Sequence, residues 1–126
     1  MTGKIKVLIA EDSSVILNLT KKILEFQNCE IFSAKNGNVV LEMLATSDYH
    51  VILMDINMPG MDGIECTRLI RQLSDPKKAG IPIIAITGNA KNYSLEDFKT
   101  QGFNDFLQKP LNFDVLVEKV KALPHN

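Results

Sequence analysis

The sequence predicts an α/β fold: a doubly wound, five-stranded parallel sheet with helices on both faces. Three observations lead there. Five short strand-like runs recur along the 126 residues, and stretches of helical periodicity alternate with them. Strands that alternate with helices need crossover connections, which return right-handed to the sheet and build parallel pairs. Val51 to Met54 and Ile83 to Ile86 are apolar throughout, the pattern of strands covered on both faces. Polar residues capable of chemistry stand at the carboxyl ends of these runs, where open α/β sheets bind ligands.

Ile5 to Ala10 is the first strand; it ends in Glu11-Asp12, and Ser13-Ser14 supplies the cap of a helix from Ser14 to Phe26. The apolar residues of that helix spread over an arc of about 200°, wider than a surface helix buries, so part of it is expected to stay exposed. Val15 and Leu17, at opposite edges of the arc, are the candidates for a docking surface. Glu30 to Ala34 reads as the second strand, Asn36-Gly37 as a turn, and Val39 to Leu44 as part of a second helix with Val40, Met43 and Leu44 inward. Val51 to Asp55 is the third strand. Met58-Pro59-Gly60 and Asp62-Gly63 break the chain after it, and a third helix runs from Ile64 to Leu73.

Ser74 to Gly80 reads as a polar loop. Ile83 to Ile86 is a fourth buried strand, ending in Thr87-Gly88-Asn89. Ser94 and Asp97 have the spacing of a capping box, so a short helix is expected from Leu95 to Gln101, weakly anchored by Leu95 and Phe98 and stopped by Gly102. Asp105 to Gln108 is the fifth strand. Asn112 caps a last helix whose Phe113, Leu116, Val117 and Val120 share one face, and Leu123-Pro124 ends the fold. Among doubly wound orders, five strands fit the flavodoxin-like arrangement 2-1-3-4-5.

Length and composition narrow the function. The chain has the size of one domain, 1–126, large enough to form a core without disulfides. No apolar run approaches the ~20 residues of a membrane span, and the N-terminus lacks a signal-peptide pattern, so a cytoplasmic protein without membrane contact is expected. Cys29 and Cys66 show neither metal nor redox spacing. A net charge of −1 with scattered lysines gives no basic stripe, which argues against direct nucleic-acid binding.

In this fold the strand ends bring together Glu11, Asp12, Asp55, Thr87 and Lys109. Three neighbouring carboxylates repel one another and persist only with cationic compensation. Magnesium suits them, since it takes one or two carboxylates and fills its shell with waters and phosphate oxygens. Such an ion, with a lysine and a hydroxyl, makes a phosphoryl-binding site in which a carboxylate can itself be the nucleophile.

At these residues the sequence resembles the receiver domain of two-component response regulators. The resemblance covers essentially the whole chain: Glu11-Asp12 after the first strand, MDINMPGMDG around Asp55, AITGNA around Thr87 and FLQKP around Lys109. The pattern is closest to stand-alone receivers or those of hybrid histidine kinases. The resemblance implies that Asp55 accepts a phosphoryl group from a histidine kinase or histidine phosphotransfer protein. It implies that Glu11, Asp12, Asp55 and the backbone carbonyl of Asn57 hold Mg2+, and that Thr87 and Lys109 grip the phosphoryl oxygens. Thr87 and Phe106 would form the switch, and Lys109-Pro110 would be cis. The domain would catalyse only its own phosphorylation and dephosphorylation.

Two positions depart from the family pattern. Glu11 replaces a commoner aspartate, and His50 stands where many members carry an aspartate; nothing in the sequence gives His50 a partner. Two other classes compete with this reading. A haloacid-dehalogenase-like phosphohydrolase needs a second acid two residues after the nucleophile, where this chain has Asn57. A receiver-like module that is never phosphorylated typically lacks an acid or the lysine, and here all are present.

Overall fold

The computed structural model describes residues 4–88 and 94–123. Along the chain run β1 (Ile5–Ala10), α1 (Ser14–Phe26), β2 (Cys29–Ala34), α2 (Gly37–Thr46), β3 (Val51–Asp55), α3 (Gly63–Arg71), α4 (Pro76–Ala79), β4 (Ile83–Thr87), α5 (Leu95–Thr100), β5 (Asp105–Gln108) and α6 (Phe113–Ala122). The strands form one parallel sheet in the order β2-β1-β3-β4-β5, the arrangement expected from the sequence. Asn89, Ala90 and Pro124, which entered the sequence reading, lie outside the described residues.

Strand side chains point alternately to the two faces, and each face has its own core. Leu8, Ala10, Ile52, Met54, Ile83 and Ala85 pack with Val40, Leu44, Cys66, Ile70 and Phe98 from α2, α3 and α5. Val7, Ile9, Val51, Leu53, Ile84 and Ile86 pack with Leu24, Leu116 and Val120 from α1 and α6. Every residue of β3 and β4 is buried, which explains why those runs carry no polar alternation.

The local differences from the sequence reading have local causes. Asn36 accepts from the Val39 amide at 3.0 Å and caps α2, where the Asn-Gly pair suggested a turn. The polar loop after α3 contains one helical turn, α4: Asp75 accepts from the Lys77 amide at 2.9 Å, and Pro76 sits at the first helical position. β2 starts one residue early, at the buried Cys29, and α3 ends at Arg71 rather than Leu73. Met43 is only partly buried, while Val40 and Leu44 are fully inside.

The short helix α5 is held more firmly than its composition suggested. Ser94 and Asp97 form the expected capping box, but its anchor is one ring, Phe98. That ring is fully buried, stacked on Phe106 at 4.8 Å and edge-on to Phe103 at 5.8 Å. Behind it, the Arg71 guanidinium donates to the carbonyls of Ala79, Ile81 and Gly102 and to Asn104 Oδ1, at 2.7 to 3.0 Å. One side chain thus ties α3 to α4, to the entry of β4 and to the α5–β5 turn. Gly102 sits at φ +103°, in the left-handed region, and stops α5 as expected.

On α1, Leu24 and Thr20 are buried, and Thr20 satisfies its hydroxyl by donating to the Ile16 carbonyl at 2.8 Å. Val15, Leu19 and Phe26 stay exposed, Phe26 at 89%, in keeping with an arc too wide to bury. Leu17 does not belong with them, because it packs against the α1/α6-side core. The exposed edge beside the carboxyl end of the sheet is therefore Val15 and Leu19.

Gly63 opens α3 against the end of β3. A Cβ there would lie 2.5 Å from the Asp55 carbonyl oxygen and 2.9 Å from the Ile56 Cα. Backbone, unlike the end of a flexible side chain, cannot easily give way. Gly63→Ala is expected to cost on the order of 2 kcal/mol or more, read as a lower urea midpoint with an unchanged m-value.

Candidate phosphoryl-acceptor site

The site is made where four strands end. β3 delivers Asp55, which is 1% exposed, at the last position of a fully buried strand. The chain turns immediately: the Asn57 amide donates to Asp55 Oδ1 at 3.0 Å, fixing one carboxylate oxygen. β1 delivers Glu11, buried although charged residues rarely are. Its backbone amide donates to the Ala34 carbonyl at 3.0 Å and its Oε2 accepts from the Ser13 amide at 3.1 Å. Ser13 itself caps α1, so one tight turn holds both the acid and the helix. Asp12, next along, is exposed.

The third contribution comes from β5. Lys109 follows that strand, its amide donating to the Thr87 carbonyl at 2.8 Å. Its ammonium donates to Asp55 Oδ2 at 3.2 Å and lies 3.7 Å from Glu11 Oε1. The Lys109-Pro110 bond is cis, as the resemblance implied. Thr87, at the end of β4, is buried beside this turn. The structure thus brings Glu11, Asp12, Asp55, Thr87 and Lys109 to one edge of the sheet. Phe106 lies deeper, half-buried on the face that carries Phe98.

Carboxylate oxygens of Glu11, Asp12 and Asp55 all lie within 4.8 Å of one another. All three are hard oxygen donors, two of them held by backbone amides, and the Lys109 ammonium faces Glu11 and Asp55. That donor set fits a small divalent cation with open coordination positions. Without one, Glu11 carries the strain. Burial, then the nearby charge of Asp55 and a hydrogen bond with it, push the Glu11 carboxyl up from 4.5 to about 7, while the Ser13 amide and Lys109 act against the rise.

The cysteines stay outside the chemistry. Both are unpaired and buried, and burial, with Asp62 and Glu65 nearby, pushes the Cys66 thiol up to about 12. A neutral thiol there is inert, as its sequence spacing implied. His50 does have a partner, the Lys6 amide, which no local sequence signal could have indicated.

The chain matches the response regulator receiver domain family over residues 7–121, and it belongs to that family. It is a receiver domain of two-component signalling. It is 39% identical over 117 residues to the CAI-1 autoinducer sensor kinase/phosphatase CqsS of Vibrio cholerae, covering 93% of this chain and 17% of that protein. It is 37% identical over 122 residues to hybrid signal transduction histidine kinase I of Dictyostelium discoideum, covering 93% of this chain and 7% of that protein. This chain therefore spans a small part of these relatives. Among solved structures it is similar to the receiver domain of sensor histidine kinase PA1611 from Pseudomonas aeruginosa PAO1, crystallised with a magnesium ion coordinated in the active site cleft. The TM-score is 0.84 at 28% identity, covering 94% of this chain and 95% of that one. No helix among the described residues is long and apolar enough to cross a membrane.

The raised Glu11 carboxyl has a consequence for stability. A group whose folded-state value lies above its unfolded value stabilises fully below the unfolded value, and that contribution is lost as pH rises through the folded one. In chelator-treated protein, Glu11 should therefore contribute a loss of stability as pH rises from 4.5 to about 7. Glu11→Gln, which cannot ionise, should flatten that part of the profile, as urea denaturation of both proteins across the range will show.

Proposed function

We propose that Asp55 accepts a phosphoryl group from a phosphohistidine on a histidine kinase or histidine phosphotransfer protein, and that the modified domain presents an altered protein-interaction surface. The observation that carries this reading is the buried Asp55 carboxylate, with the Lys109 ammonium 3.2 Å away and two further carboxylates converging on it. An oxygen of Asp55 attacks phosphorus, the phosphorus–nitrogen bond to the donor imidazole breaks, and an acyl phosphate forms on Asp55. Lys109 sits where it can neutralise a phosphoryl oxygen, and the Asn57 amide keeps the Asp55 carboxylate oriented. Thr87 offers its hydroxyl to another phosphoryl oxygen, and Phe106 follows Thr87 as the switch. Glu11, Asp12, Asp55 and the Asn57 carbonyl would hold Mg2+, which when bound supplies positive charge to the phosphoryl oxygens.

In this reading the domain is a signalling acceptor that catalyses only its own phosphorylation and dephosphorylation, working in the cytoplasm without direct nucleic-acid or membrane contact. The competing phosphohydrolase reading lacks its second acid, since Asn57 holds that position; steady turnover of small phosphate esters would favour it instead. Intact-mass measurement after incubation with a small phosphodonor should show one added phosphoryl group per chain. That group should be stable to mild acid, labile to hydroxylamine, dependent on divalent metal and missing in Asp55→Asn. A phosphoryl group persisting in that variant would place the acceptor elsewhere.

The donor protein must cover the surface around Asp55 as its histidine approaches. Beside the site lies a cavity of about 220 Å³ lined by Ile16, Leu19, Lys109, Pro110, Leu111 and Phe113. Lys109 belongs to both the cavity and the site. Leu19→Glu is expected to slow phosphotransfer from the cognate histidine domain about tenfold or more, the scale of a lost interface contact, while phosphorylation by a small donor stays at the wild-type rate. Equal slowing of both reactions would mean that the site itself had been disturbed.

A further inference from the structure

The opposite end of the sheet holds an arrangement that the phosphoryl chemistry does not use. His50, half-buried, immediately precedes β3, and Lys6 is the second residue of β1. The regular pairing of these strands begins one step later, at Val7 and Val51. Two hydrogen bonds carry the pairing one residue further. The His50 amide donates to the Lys6 carbonyl at 2.9 Å, as strand backbone does. The Lys6 amide donates to Nδ1 of the His50 ring at 2.8 Å.

The second bond depends on the protonation state of the ring. Nδ1 accepts only while it keeps its lone pair, so neutral His50 must carry its proton on Nε2. Protonation of Nδ1 places a donor against the Lys6 N–H, and the bond is lost. We propose that His50 is a proton-operated latch on the start of the β1–β3 pair, closed when the imidazole is neutral and open when it is protonated. The charged groups around it decide how readily it opens. Lys6 from β1 and Lys77 from α4 share a cavity of about 160 Å³ with Asp48, Tyr49 and His50. Both ammonium groups oppose a charge on the ring, and the Asp48 carboxylate favours one.

An acceptor that did not titrate near neutral pH would hold the same bond permanently. Asparagine is the direct comparison, because its Oδ1 can occupy the place of Nδ1. The latch belongs to the strand starts, so it is independent of the assignment of Asp55.

Two measurements test it. Nitrogen-15 NMR of the wild-type ring at about pH 8, above the ordinary histidine range, should show the Nε2–H tautomer. Amide hydrogen exchange, corrected for the intrinsic rate, should show Lys6 protection falling about tenfold between about pH 8 and about pH 5, the scale of one lost hydrogen bond. His50→Asn should keep Lys6 protected across that range, and His50→Ala should leave it unprotected at both ends. Four results would each overturn the proposal: an Nδ1–H tautomer at high pH, flat Lys6 protection in the wild type, the same pH-dependent fall in His50→Asn, or full protection in His50→Ala.

Discussion

Five consecutive side chains of β3 are sealed from water, and the fifth is a carboxylate. A strand covered on both faces has nowhere along its length to place a charge, so polar chemistry is confined to its end. Asp55 is buried there with the Asn57 amide and the Lys109 ammonium within hydrogen-bond reach, which offsets the cost of burying its carboxylate. β1 meets the same constraint beside it. Its last four residues are buried, and Glu11 follows under the same lysine. The sheet order places these two strand ends next to each other, and β5, two strands away, supplies the lysine that bridges them.

That bridge is lopsided. Among the described residues, one ammonium faces two buried carboxylates, and the exposed Asp12 stands nearby. The imbalance shows in Glu11, which holds its proton to a pH where an exposed glutamate would long have lost it. The resulting surplus of oxygen donors over cationic partners is the physical basis for assigning a divalent cation to this edge of the sheet. Asp12 would contribute a donor to such an ion at little cost, because it is exposed to water. The tension in the metal-free fold therefore rests on the Glu11–Asp55 pair.

The two ends of the sheet use backbone amides in the same way and to different effect. At the carboxyl end, the Ser13 and Asn57 amides fix the oxygens of two acids. At the amino end, the Lys6 amide points at a ring nitrogen whose lone pair comes and goes with pH. Between them the core is apolar. Arg71 and the stack of Phe98 on Phe106 fasten α5 and β5 to it from the side opposite α1 and α6.

The strands, the capping of α1, α5 and α6, and the five polar residues of the site were legible in the sequence. They rest on periodicity, on side chains that cap within three residues, and on the position of a residue at the end of an apolar run. Asn36 and Asp75 were legible only as loop formers, because a side chain that turns the backbone and one that caps a helix look alike until the next turn forms. What tertiary structure alone decided is a matter of contacts distant in sequence. Phe98 reads as a weak anchor until Phe103 and Phe106 pack against it, and Leu17 reads as an exposed edge until it packs against the core on its side of the sheet. His50 has no partner until β1 lies beside β3. Which polar residues stand at the strand ends is thus written in the chain, whereas the inequality among the acids, with Glu11 and Asp55 buried beside Lys109 and Asp12 exposed, exists only once those ends are brought together.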